Sequence, residues 1–228
     1  MPHSTAHCRG ANNAAEFSRQ QTKIVEAMAA IDADVLGLME IQNNGAVAVQ
    51  NLVDALNAVV GAGTYAVVPD PVPLNGTGTD AIKVAMIFKP ARLSLVGSAA
   101  SDTDAVNNRP TLAQTYTAAN GERFTLMVNH LKSKGSCPSG TGLDADQGDG
   151  QGCWNATRVQ QAQPLTHVVQ RHAVAGQARL VGQCVAHRHH HLATLHEGTH
   201  LHAPAVGRRL DAVAHGVFHQ RLQHQRRH

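Results

Sequence analysis

The sequence predicts a layered α/β domain, rich in antiparallel strands, over roughly its first 165 residues. Three observations predict it. Two amphipathic helical stretches bracket a short apolar run that ends in a carboxylate. A series of strand-like segments follows. Two of these are joined by Asn120-Gly121, a turn pair that tolerates positive φ. At 228 residues the chain can bury one sizeable core. No run approaches the ~20 apolar residues of a membrane span, and the opening string MPHSTAHCRG has neither the basic nor the apolar region of a signal peptide.

In order along the chain, NNAAEFSRQQTKIVEAMAAI places Phe17, Ile24, Met28 and Ile31 on one face at helical spacing. DADVLGLME then reads as a buried strand that reaches a polar edge at Glu40. A second helix is expected in VAVQNLVDALNAVVG, with Val49, Leu52, Val53, Leu56 and Val60 inward and Gly61 as its stop. Strands are expected in TYAVV, IKVAMIFKP, RLSLVG, TLAQTYTA and RFTLMVNHLKS, the last two flanking ANGE. A glycine-rich loop, GSCPSGTGLDADQGDGQGC, interrupts the pattern, and WNATRVQQAQPL begins another helix.

Beyond Pro164 the composition changes. Residues 1–165 carry 11 Lys and Arg against 14 Asp and Glu, whereas residues 166–228 carry 8 Arg, no Lys and only Glu197 and Asp211. Thirteen of the 16 histidines fall in that last segment, which keeps no sustained period and no turn grammar. It reads as irregular sequence, of the kind an out-of-frame translation of GC-rich coding sequence would yield. A metal-binding tail is the rival reading, because HRHHH and the zinc-protease spacing His196-Glu197-Gly198-Thr199-His200 both lie there. Against a zinc helix stand Gly198, which costs about 1 kcal/mol in a helix interior, and Pro204 shortly beyond. Ala203 and Val206 stand where the extended motif needs Gly and His.

Several residues of the ordered part suit phosphate chemistry. Glu40, at the end of a buried strand, is an oxygen ligand of the kind hard Mg²⁺ or Ca²⁺ favours. His130, in VNHLKSK, follows Asn129 and precedes Lys132, Ser133 and Lys134, and an imidazole there suits proton transfer near neutral pH. Arg109, in NNRPTLAQTY, can grip phosphate oxygens through two donors. Asp80 and Lys83, in GTDAIKVAMIF, are further candidates to face a cleft, with plain solvation as the equal alternative for each. Cys137 and Cys153 bracket the glycine-rich loop as a disulfide would, which in the chain-entropy view is worth about 3 kcal/mol and points to an oxidising compartment. DADQGDG is not an EF-hand loop, since Gly148 and Asn155 occupy ligand positions.

Together CRGANNAAEFSRQQTKIVEAMAAIDADVLGLMEIQNNG, GTDAIKVAMIFKPARL, NNRPTLAQTY, VNHLKSKGSC and DADQGDGQGCWNATRVQQAQ resemble the endonuclease/exonuclease/phosphatase superfamily, whose fold is that of pancreatic deoxyribonuclease. More narrowly they are similar to its large secreted bacterial nucleases. The resemblance spans roughly residues 8–165. It implies a four-layer α/β sandwich, present in part, and metal-dependent cleavage of nucleic acid through its phosphate backbone. Glu40 would hold Mg²⁺ (or Ca²⁺ or Mn²⁺), His130 would assist cleavage and Arg109 would contact the phosphate. An extracellular or periplasmic location and no protein partner are implied as well. Strings that the family carries elsewhere are missing: an Asn-bearing first strand, a strand ending Gly-Asp-x-Asn and a terminal Asp-His pair. The chain is therefore expected to hold about half of the catalytic set and to be weakly active or inactive alone.

Overall fold

The computed structural model describes residues 10–72, 76–163 and 179–185. Helix α1 spans Ala14–Ile31. It starts where Asn13, in extended conformation, accepts the Glu16 N–H, while the Glu16 carboxylate accepts the Asn12 N–H at 2.9 Å. It stops at Asp32, whose left-handed backbone returns its N–H to the Met28 carbonyl. The core face of α1 is Ile24, Val25, Met28 and Ile31. Phe17, expected among them, is 48% exposed, because core contact is confined to the C-terminal half of the helix. Helix α2, Val47–Val60, buries Val49, Val53 and Leu56 and ends at Gly61, whose φ of 113° suits glycine.

Strand β1 (Val35–Gln42) lies beside β3 (Ile82–Phe88), and β2 (Ala66–Val67) closes the other side of β3, so the first sheet is ordered β1-β3-β2 with antiparallel pairs. The second sheet runs β4 (Leu93–Asp102), β5 (Thr111–Ala118), β6 (Arg123–Asn129) and β7 (Arg179–Val185). Its first three strands are antiparallel, and β7 joins β6 in parallel. That strand lies inside the segment expected to be irregular. The rest of the segment, with HRHHH and the zinc-like His196 to His200, lies outside the described residues, as does Cys8.

The β5–β6 turn differs from expectation in one respect. Only Gly121 takes positive φ, at 83°, and the Asn120 side chain instead accepts the Glu122 N–H. The segment read as TYAVV contributes only two paired residues, while β4 runs five residues past RLSLVG to Asp102.

Two apolar clusters order the layers. Val25, Met28, Val49, Val53 and Leu56 of the helices meet Leu36, Leu38, Ala85 and Ile87 of the first sheet. The opposite faces of β1 and β3, through Val35, Met39, Val84, Met86 and Phe88, meet Leu112, Tyr116, Leu126 and Val128 of the second sheet. On the outer face of that sheet Ala113 and Met127 pack on Ala162 of helix α3, residues 155–163. The result is a mixed α/β sandwich of four layers: helices, sheet, sheet, helix. Val128 of the second sheet lies against Gly37 of β1, where an added Cβ would stand 2.6 Å from its Cγ2.

Gly37→Ala is therefore expected to destabilise the domain by roughly 1–3 kcal/mol through overpacking, read as a lower urea midpoint at unchanged slope. Val128→Ala in the same chain should recover part of that loss, and simple addition of the two single effects would mean the sheets do not meet there.

Candidate active site

Strand β1 carries a bulge. Leu38 faces Ala85 and Ile41 faces Lys83, so Met39 and Glu40 together oppose one residue of β3. Before the bulge the strand alternates, with Leu36 and Leu38 toward the helices and Val35 and Met39 toward the second sheet. Ile41 resumes on the helix side. Glu40 takes up the extra residue at φ 60°, a left-handed conformation that a long side chain adopts at a cost. Its carboxylate is 73% exposed and lies at the rim of the second sheet, with Oε1 3.8 Å from Nε2 of His130.

His130 immediately follows β6, which ends at Asn129. The approach of β1 to β6 at Gly37 and Val128 thus brings the two strand ends together. The ring is mostly buried and its Nδ1 has no partner among the described residues. Burial first, and then the charge of Arg109, hold its pKa down at about 4, while Glu40 and Asp80 pull the other way. The imidazole is therefore neutral at pH 7, with Nε2 facing the carboxylate at a separation too long for a hydrogen bond.

Arg109 closes the third side. Its Nη1 donates to Oδ2 of Asp80 at 3.1 Å and its Nη2 to the backbone carbonyl of His130 at 3.5 Å, while Nε is buried without a partner. Pro110, next in the chain, packs on Gly78, where a Cβ would meet its Cδ at 2.5 Å. The loop that carries Asp80 is held by Asn43, whose Nδ2 donates to the carbonyls of Thr77, Gly78 and Asp80. Asn43 was not singled out from the sequence. Its only signal there was its place three residues after Glu40, in IQNNG.

The remaining expected residues fall into supporting places. Asp80 spends one oxygen on Arg109 and the other on the Ile82 N–H, so it aims the guanidinium and is not placed to meet a substrate. Asn129 is fully buried, its Oδ1 accepting the Thr111 hydroxyl and its Nδ2 left without a partner. Lys83 corrects its expectation outright: it is 1% exposed and both oxygens of Asp70 take its ammonium, so no free cation is offered to a cleft. Cys137 and Cys153 stand with Cα atoms 5.3 Å apart, within the span of a disulfide.

Helix α3 supplies two buried polar residues that sequence reasoning missed. Gln161 accepts the Lys132 N–H at 2.8 Å and donates to the Val106 carbonyl at 2.8 Å, which joins the segment after His130 to the segment before Arg109. Arg158 donates to the carbonyls of Cys153, Gln151 and Lys132. Three residues apart on one helix face, these two long polar side chains stand where an amphipathic helix would carry apolar ones. Among the described residues no three His, Cys, Asp or Glu side chains converge to hold a metal, and no helix is long and apolar enough to cross a membrane.

No family model and no curated protein sequence matches the chain. Solved structures similar to it include ANGEL2, a 2′,3′-cyclic phosphatase, at 21% identity over 49% of this chain and 31% of that one, with a TM-score of 0.37. ANGEL2 in complex with adenosine-2′,3′-vanadate gives 21% identity, 55% and 35% coverage and a TM-score of 0.39. TDP2 from C. elegans gives 10% identity, 53% and 32% coverage and a TM-score of 0.35. The chain spans about a third of the length of these structures.

The buried ring makes a pH signature. In NMR titration the resonance that vanishes in His130→Asn should titrate near pH 4, moving up in Arg109→Ala and down in Glu40→Ala. An unfolded histidine titrates near 6.5, so the unfolded state binds the extra proton first. The stability His130 contributes is complete above that value and is lost as pH falls from about 6.5 toward 4. A ring that titrates near 6.5 in the folded chain would place it in solvent.

Proposed function

We propose that the chain carries part of the active site of a metal-dependent phosphodiester hydrolase that acts on the nucleic-acid backbone. One observation carries the reading: Glu40 and His130, from different sheets, meet at 3.8 Å with the Arg109 guanidinium bonded to the His130 carbonyl. The family resemblance of the sequence assigns the same three residues to a single phosphate. Buried Nε of Arg109 and Nδ1 of His130 remain without partners beside this point, and unspent donors of this kind suit an anionic oxygen.

The donor set also bears on the metal. Glu40 offers one exposed carboxylate, which fits Mg²⁺, an ion commonly held by one or two carboxylates, waters and substrate phosphate oxygens. When bound, such an ion neutralises phosphate charge and orients the ester. The chain's own groups do the rest. Arg109, aimed by Asp80, grips a phosphate oxygen. Neutral His130 accepts a proton at Nε2, and the approach of phosphate offsets the Arg109 charge that depresses its basicity.

Supercoiled plasmid with Mg²⁺ should be nicked slowly by this chain and not at all with EDTA. His130→Ala should slow nicking by about 10²-fold or more, and Glu40→Ala comparably. Nicking that survives in the double variant would overturn the reading.

We further propose that Cys137 and Cys153 are oxidised and that the protein works in an extracellular or periplasmic compartment. Their spacing along the chain and the 5.3 Å between their Cα atoms support this. Mass analysis after alkylation without reductant should find both thiols blocked. Reduction should cost about 3 kcal/mol in urea unfolding. Two freely alkylated thiols in protein from an oxidising host would refute it.

A further inference from the structure

Next to His130 the chain builds a second arrangement that the hydrolase reading does not use. Lys132 holds its ammonium 4.4 Å from the centroid of the Trp154 ring. The indole Nε1 donates to the carbonyls of Gly135 and Ser136, at 3.2 and 2.9 Å. Four described residues other than glycine have positive φ, and two of them are Ser136 at 56° and Trp154 at 64°. For a bulky aromatic this is an unfavourable backbone, which persists only where the surroundings enforce it.

The enforcement comes from several sides. Cys137 and Cys153, each adjacent to one of the strained residues, hold the two segments together. Asp144 takes the Trp154 N–H on its carbonyl at 2.7 Å and the Thr157 N–H and hydroxyl on its carboxylate. Arg158 binds the carbonyls of Gln151, Cys153 and Lys132 from below, and Gln161 fixes the Lys132 N–H. Simple closure of a surface loop does not require a left-handed tryptophan. A glycine would adopt that backbone without strain. What the bonds achieve is to present a half-buried indole and a lysine in fixed relation, two residues along the chain from the imidazole.

Resting on the hydrolase reading above, we propose that Trp154 and Lys132 form a subsite for the strand flanking the phosphate at His130, the indole stacking on a base and the ammonium contacting the neighbouring phosphate. Lys132 lies at most about 7 Å of chain from His130, roughly one nucleotide step. Stacking on an aromatic face is tolerant of base identity, so the subsite would favour single-stranded or unpaired nucleic acid without selecting sequence.

Trp154 is the chain's one tryptophan, so its emission reports this place directly and without turnover. The probes are single-stranded phosphorothioate oligomers of deoxythymidine and of uridine, end-labelled for anisotropy and unlabelled for Trp emission. A saturable emission change that tracks anisotropy is expected for at least one of them. In Lys132→Gln the dependence of log affinity on log salt should fall by about 0.7, one phosphate contact to a single strand. Trp154→Ala should weaken binding roughly 5- to 100-fold. Because that variant also removes the indole bonds to the Gly135 and Ser136 carbonyls that hold the loop, the wild-type emission and the Lys132→Gln salt slope decide the matter. Binding by anisotropy with unchanged emission overturns the subsite and leaves the hydrolase reading to the nicking assay. An emission change and a reduced slope, alongside nicking indifferent to Glu40 and His130, would support the strand-binding surface and retire the hydrolase alone. No binding of either oligomer overturns the subsite.

Discussion

The approach of the two sheets at Gly37 governs where the chemistry can sit. A strand that packs on a helix layer with one face and on a sheet with the other has no exposed side until it leaves the core. β1 leaves between Met39 and Ile41. Continued alternation would turn residue 40 toward the helices with Leu36 and Leu38 and bury a carboxylate without a partner, at a cost of several kcal/mol. The bulge removes that cost and resets the strand, so that Ile41 still finds the helix-side core. Backbone strain at one residue replaces a buried charge, and the carboxylate reaches the end of β6 because no side chain at position 37 holds the sheets apart.

A polar layer behind this edge fixes the loops. Asn43 gathers the carbonyls of the loop that carries Asp80, Asp80 aims Arg109, and Gln161 ties the strand exits on either side of β5 and β6 to one helix. Asn43 and Gln161 bond to backbone and Asp80 pairs with Arg109, so each fixes a position without adding net charge. The unsatisfied atoms are distributed differently. Of the four buried side-chain atoms without partners, three belong to Arg109, Asn129 and His130. Native structures rarely leave such atoms unpaired, and on the proposed reading those of Arg109 and His130 would meet an anionic guest.

Legibility in the sequence followed interaction range. The α2 stripe, the Gly61 stop and the body of β5 rest on contacts a few residues apart, and period alone found them. Phe17 misled because a 3.6-residue period states which face is apolar, not how far along the helix the core extends. Glu40 and His130 were visible as residue types at strand ends, and their meeting was implied only by the family resemblance, since no local signal encodes a contact between sheets. Lys83 was misread because its partner, Asp70, sits outside its own strand, and burial of a lysine is decided by whether such a partner arrives. The bulge left no trace, as Glu is not a residue one would choose for positive φ.

Charge counting connects the site to its need for a cation on the proposed reading. Arg109 is matched by Asp80, His130 is neutral at pH 7, and Glu40 stands unpaired, so the four side chains sum to about one negative charge. A phosphodiester approaching that edge would meet repulsion from the Glu40 carboxylate. Lys83 cannot relieve it, being spent on Asp70. On the proposed reading, a divalent ion on Glu40 would reverse the sign locally and turn the same carboxylate from an obstacle into an anchor. Burial first and Arg109 second lower the basicity of His130. On the proposed reading a phosphate oxygen would oppose the guanidinium, while a cation on Glu40 would cancel the carboxylate that raises it. Substrate, cation and proton acceptor would thus be coupled through one electrostatic balance.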